Sequence, residues 1–310
     1  MTRSRQFRLA LLVAPAVLLA LATAAAAQQT FSSPDQAIEA LVKAARDGDR
    51  KAIVTVLGPD GAEIASSGDD VADADGRQRF LAAYDTKHQV TMDGDNKAIM
   101  VIGSEDFPFP IPLMKKDGNW RFDTAAGRDE ILFRRIGRNE LNAIQTLLAY
   151  VDAQNEYADK DRGAGVGIYA QRIVSRSGKT DGLYWPAAQG DQSPLGELVA
   201  EATAEGYRAK GGEERTPFHG YYFKILTRQG PAARGGALNY VVNDKMMGGF
   251  AMVAYPASYR NSGVMTFLVN HDGVIFQKDL GPETARIAER MTVFNPDASW
   301  TMVTDTALVR

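Results

Sequence analysis

From Arg128 to Tyr157 apolar residues recur every three or four positions: Ile131, Leu132, Ile136, Leu141, Ile144, Leu147, Leu148 and Val151. This rhythm predicts one amphipathic helix of about thirty residues, roughly 45 Å long at 1.5 Å per residue. Asp129 and Glu130 suit the dipole at its N-terminal end. No small domain needs so long a rod. The helix is therefore expected to join two units, with Gly137 as the place where it would bend. The patterns on its two sides differ, which places the units at 28–127 and 128–310.

In the first unit, Ser33-Pro34-Asp35-Gln36 has the form of a helix start, with Ser33 as cap and Pro34 in the first turn. A second short helix is predicted after Asp49 and stops at Gly58-Pro59; a third runs from about Asp73 through Phe80, Leu81 and Tyr84. Period-two segments follow at 88–92, 97–103, 107–116 and 119–124. Alternating prolines at Pro108, Pro110 and Pro112 remove every second amide donor, so that segment belongs at a sheet edge or in an extended arm. The second unit continues with a polar Gly-rich stretch over 159–190 and a helix from Pro194 to about Glu205. Strands are expected at 220–228, 237–243, 249–255, 264–270 and 274–278, with His271-Asp272-Gly273 as a hairpin turn and a last helix over 283–291. The fold class is α+β, with helices beside a curved antiparallel sheet in the first unit and the long helix plus an antiparallel sheet in the second.

Ahead of both units, Arg3, Arg5 and Arg8 lead into the apolar run 9–22 and then the small residues 23–27. That is the layout of a secretory signal peptide over 1–27, which predicts a periplasmic or secreted protein. No Cys follows the apolar run, which argues against a lipid anchor, and no later apolar stretch predicts a membrane span. An exported chain with zero Cys must be held by packing alone, and thiol catalysis, disulfides and thiolate metal sites are excluded. Net charge is −3 and no basic stripe is interleaved with aromatics, so nucleic acid is not an expected partner. His88, His219 and His271 match no metal spacing, and neither a metal nor an organic cofactor is predicted.

Several strings, in order, resemble a known family: Trp120-Arg121-Phe122-Asp123-Thr124, Arg134-Arg135-Ile136-Gly137-Arg138-Asn139-Glu140, Ala153-Gln154-Asn155-Glu156-Tyr157-Ala158, Gly220-Tyr221-Tyr222-Phe223-Lys224, Met247-Gly248-Gly249-Phe250-Ala251, Ala254-Tyr255-Pro256 and Ser262-Gly263-Val264-Met265-Thr266-Phe267. The family is the exported bacterial one catalogued as domain of unknown function 2950. The resemblance implies export and almost no biochemistry. The first unit is also similar to nuclear transport factor 2-like domains, whose helices cover a curved sheet and permit a pocket. The second, with its long helix carrying Ala153-Gln154 and Tyr157, is similar to the heads of type IV pilins and pseudopilins.

Four groups of residues are candidate sites. The run Asp69-Asp70-Val71-Ala72-Asp73-Ala74-Asp75-Gly76 offers oxygen ligands, but an EF-hand register would put Val71 first and Ala82 twelfth and lose two ligands, so a capping loop is preferred to a calcium site. Arg134, Arg135 and Arg138 form either an anion clamp or a network with Asp123, Asp129, Glu130 and Glu140; the local excess of carboxylates favours the network. Asp123 and Glu140 would serve glycoside chemistry only if brought within about 5 to 9.5 Å of each other, and His219 is a candidate base. No Gly-x-Ser-x-Gly elbow accompanies it. Trp185, beside Pro186 in the Gly-rich stretch, is the best exposed candidate for stacking on a sugar or peptide, although core or loop anchoring is the preferred reading of these aromatics. The expected function is a non-catalytic envelope binding or assembly module whose partner is an envelope protein or glycan. The rivals are a hydrolase acting on an envelope polymer and a pilin-like self-assembling subunit.

Overall fold

The computed structural model describes residues 28–186, 192–204 and 216–304. The predicted signal segment lies outside the described residues, as do parts of the Gly-rich stretch and the end of the helix expected to reach Glu205. The fold is α+β.

Helix α1 (Pro34–Arg46) starts where its cap signal stands: the Ser33 hydroxyl accepts from the Gln36 amide. Helix α2 (Arg50–Leu57) is capped in the same way by Asp49, which accepts from Ala52. A 3₁₀ turn (Pro59–Gly61) and the short α3 (Ala62–Ala65) follow, neither of which was signalled by periodicity. Helix α4 (Asp70–Thr86) begins three residues earlier than the sequence suggests, because Asp69 caps it by accepting from Val71 and Ala72. Strands β1 (His88–Met92), β2 (Lys97–Ile102), β3 (Phe107–Pro108), β4 (Leu113–Lys116) and β5 (Asn119–Phe122) form one antiparallel sheet in the order β1-β2-β4-β5, with β3 on the far end of β2. The proline arm thus breaks the strand expected over 107–116 into two pieces, which pair with opposite ends of β2. Pro110 and Pro112 supply no ladder donors between those pieces.

Helix α5 (Thr124–Ala158) runs 35 residues and stays helical through Gly137. Gly137 faces open space, with nothing within 4 Å of a side chain built there. Helix α6 (Gly196–Ala204) follows. The second sheet has the order β15-β13-β12-β11-β6, all antiparallel, from β6 (Tyr221–Leu226), β11 (Ala251–Pro256), β12 (Met265–Asn270), β13 (Phe276–Asp279) and β15 (Thr301–Met302). The strand expected over 237–243 is split into β8 (Leu238–Asn239) and β9 (Val241–Val242), which join two small sheets with β7 (Arg228–Gln229), β14 (Val293–Phe294) and β10 (Lys245–Met246). The last helix is α7 (Thr284–Arg290).

Buried apolar side chains gather in two clusters. One lies between α1, α2 and the first sheet, around Leu41, Ile53, Ile111, Trp120 and Phe122. The other lies between the second sheet and the C-terminal half of α5, around Leu147, Tyr150, Tyr157, Phe250 and Phe267. Helix α5 reaches both, with Ile131 against the first cluster and the residues from Ala143 onward in the second. Between those contacts lies the arginine-rich segment, where hydrogen bonds take over from apolar packing.

Candidate functional site

A cleft of about 1030 Å³ opens where α1, α2, α4, the proline arm and α5 meet. Its inner wall is apolar, with Leu41, Ile53, Leu57, Ile102, Phe109 and Ile131. The cleft exists because α4 packs loosely. Its one buried residue is Asp73, while Phe80, Leu81 and Tyr84 are only half-buried. The helix is fastened at its N-terminal end and through Phe80 instead. Asp73 accepts from the Ser67 amide at 3.1 Å and the Ser67 hydroxyl at 2.7 Å, Asp70 pairs with Arg50 at 2.5 Å, and the Phe80 ring sits 5.6 Å from that of Phe109. The acidic run is therefore spent on capping and pairing, with Asp75 engaged by Arg79.

One face of α5 lines this cleft: Ile131, Arg134, Arg135, Arg138, Asn139 and Asn142 recur at the three- and four-residue spacing that aligns side chains on a helix. The three arginines do different things. Arg134 pairs with Glu130 at 2.6 Å and lies over the Phe107 ring at 4.5 Å. Arg135 donates to the carbonyls of Glu63 and Ile64, each at 2.7 Å, and to Asn261 Oδ1 at 2.5 Å. Burial holds the Arg135 guanidinium below the ordinary arginine value; Asp73 and Glu63 oppose that shift, while the charge of Arg138 adds to it. Arg138 is exposed, with no ion pair or hydrogen bond among the described residues. Arg77, on α4, also lines the cleft, and its Nη1 is buried without a hydrogen-bond partner.

The expected network of arginines with carboxylates is mostly not made. Asp129 pairs with Arg128, and Glu140 points away from the cleft, accepting from the amides of Val264 and Met265 at 2.9 and 3.0 Å. Asp123 stands at the N-cap of α5 without a capping hydrogen bond from its side chain. The helix separates Asp123 from Glu140 by about 25 Å at 1.5 Å per residue, too far for a glycosidase pair. Trp185 is 1% exposed within the second cluster, with Arg162 over its ring at 4.7 Å, so core anchoring holds and the stacking platform is not formed. Its indole fills space among Tyr157, Leu183 and Leu195 in that cluster, which outweighs the loop's polar composition.

His219 joins Arg134, Arg135 and Arg138 on the cleft lining. It is carried there by a tight turn in which the Phe218 and Tyr221 amides each donate to the other's carbonyl, with positive φ at His219 (47°) and Gly220 (75°). The Gly220 amide donates to Asp69 Oδ2 at 2.8 Å, so one carboxylate both caps α4 and holds the turn. The chain belongs to the DUF2950 family. That family's model, described as a protein of unknown function, matches residues 28–303. No curated protein and no solved structure matches the chain. The family match spans α1 through β15, and so includes every residue of the cleft and of the junction around it.

Two further residues complete the junction, and the sequence singled out neither. Asn261 Nδ2 donates to the Ser66 carbonyl at 2.8 Å, and Asn139 Nδ2 to the Ser262 carbonyl at 2.9 Å. A polar residue at a core-facing helix position was the only available signal, and Asn139, 6% exposed, is such a residue. Among the described residues no helix is long and apolar enough to cross a membrane, and no cluster of His, Asp and Glu could hold a metal ion.

Proposed function

We propose that this DUF2950 protein is exported and acts in the cell envelope as a non-catalytic binding module, taking an anionic ligand into the cleft beside α5. The observation that carries this reading is uncompensated positive charge. Arg77 and Arg138 have no partner among the described residues, and Arg135 is bound only by neutral oxygens. Bringing an anion to Arg138 would relieve its repulsion of Arg135. A volume of about 1030 Å³ suits a small-molecule ligand.

The rival readings draw less support. Of the three acid/base candidates only His219 lines the cleft. Self-assembly through α5 would rest on Phe133 and Leu141 alone, since Leu132, Ile136, Ile144, Leu147 and Val151 are already buried. The test is the thermal midpoint of the chain from Gln28 with phosphate, citrate, sugar phosphates and peptidoglycan fragments, for the parent and for Arg138→Ala. An anion that raises the parent's midpoint and not the variant's supports the reading; equal shifts in both refute it. Cell fractionation with and without residues 1–27 tests export, which fails if the full chain stays in the cytoplasm.

A further inference from the structure

The cleft is chemically two-sided, and neither side alone accounts for it. Unpaired guanidinium groups stand at Arg77 and Arg138, while the inner wall formed by Leu41, Ile53, Leu57, Ile102, Phe109 and Ile131 offers no charge to a ligand. A small hydrated anion would satisfy the arginines and leave the apolar wall wet. A purely apolar ligand would fill the wall and leave the charge of Arg138 at the mouth of the cleft without a counter-ion. A ligand with both parts satisfies both.

We infer that the ligand is a free single-chain amphiphile, with an anionic head held at Arg138 and an unbranched apolar tail lying along Ile53, Leu57, Ile102 and Ile131. This rests on the binding role proposed above and adds the class of ligand. The half-buried Phe80 and Ala83 of α4 form the outer wall over the tail. Because α4 is pinned near Asp69 and Asp73 and meets the proline arm through Phe80, the space between is preformed. Little ordering cost is then left to the ligand.

The probes are hexanoate, octanoate and decanoate below their micelle-forming concentrations, with the matching alcohols and with acetate, titrated calorimetrically into the chain from Gln28. Each added pair of methylenes is expected to tighten binding roughly 15-fold while the tail is fully buried. Arg138→Ala is expected to weaken all three carboxylates about 10-fold, leave the dependence on length intact and leave the alcohols unchanged. Arg138→Lys should recover part of the loss. Ala83→Phe, shown to be folded by circular dichroism, should flatten the dependence on length. Acetate binding as tightly as decanoate would overturn the tail and leave the anion cleft standing. Alcohols binding as well as carboxylates would overturn the head group, and binding to anionic vesicles alone would overturn a free amphiphile. No binding of any anion, here or in the thermal assay, would overturn both readings.

Discussion

Arg135 and Arg138 lie one turn apart on the same helix face, yet truncating them should have opposite consequences. Arg135→Ala removes a guanidinium that spans two backbone carbonyls on one side of the junction and Asn261 on the other. Hydrogen bonds from a charged donor contribute about 1.5 to 3 kcal/mol each. Two effects reduce the total: water can reach the half-buried site, and removing the guanidinium relieves the burial cost that lowers its pKa. A net loss of about 3 kcal/mol remains, or roughly 6 to 12 °C in the thermal midpoint for a chain of this size. Arg138→Ala deletes an exposed group without a partner and should stay within about 0.5 kcal/mol of the parent. Its sign should be stabilising if anything, since Arg138 repels Arg135.

Urea unfolding followed by tryptophan fluorescence is the assay, because Trp120 sits in one apolar cluster and Trp185 in the other, so both clusters report. Arg135→Lys should recover less than half of the loss, since one ammonium cannot hold the planar fork that reaches three acceptors. A loss below about 1 kcal/mol for Arg135→Ala, or an equal loss for Arg138→Ala, would refute the division of labour between the two arginines.

Asp69→Ala should cost about 3 kcal/mol in the same assay, part from the lost cap of α4 and part from a Gly220 amide left buried without an acceptor; a loss no greater than an ordinary cap would argue against the contact with Gly220. Gly220→Ala should destabilise strongly, because a Cβ there meets Asn139 Nδ2 at 2.5 Å and φ is +75°, and Asn139→Ala in the same chain should relieve part of the defect. Gln154→Leu should cost about 2 to 4 kcal/mol, since the buried amide of Gln154 satisfies both the N–H and the carbonyl of Ala170; a neutral outcome by urea titration would refute that role. Burial pushes the Tyr240 phenol up to about 12 from an ordinary value of 10.0. Its folded-state pKa is the higher one, so its contribution is complete below about pH 10 and is lost as pH rises to about 12, a total of roughly 3 kcal/mol. Thermal midpoints measured across that window should fall less steeply for Tyr240→Phe than for the parent.

Which features the sequence foretold follows from how local their causes are. Ser33, Asp49 and the three- and four-residue rhythm of α5 act within a turn or two of themselves, and each element they imply is present. The strand expected over 107–116 came apart because the proline pattern announces missing donors and not where the chain must cross the sheet. Trp185 could be read only as anchored or exposed, because a Gly- and Asp-rich neighbourhood describes the loop's backbone, while the indole's burial depends on a cluster built from other parts of the chain. The arginines are the sharpest case. Helical geometry places Arg134, Arg135 and Arg138 side by side, and from sequence they are interchangeable.

What separates them is Asn261, which is 126 residues from Arg135 along the chain, and the carbonyls at the end of α3. Those acceptors take up Arg135 and, together with Asp69, Asn139 and Glu140, close the junction with hydrogen bonds to neutral groups. Carboxylate partners would have neutralised the arginines. Neutral acceptors fix the position of Arg135 and leave its charge in place. The junction between the two apolar clusters is therefore also what keeps the cleft positive, so a variant that pairs Arg138 with a new carboxylate, such as Asn142→Glu one turn along α5, should silence the cleft without loosening the fold. Loss of anion binding with an unchanged urea midpoint is the expected result. Retained binding would place the anion elsewhere.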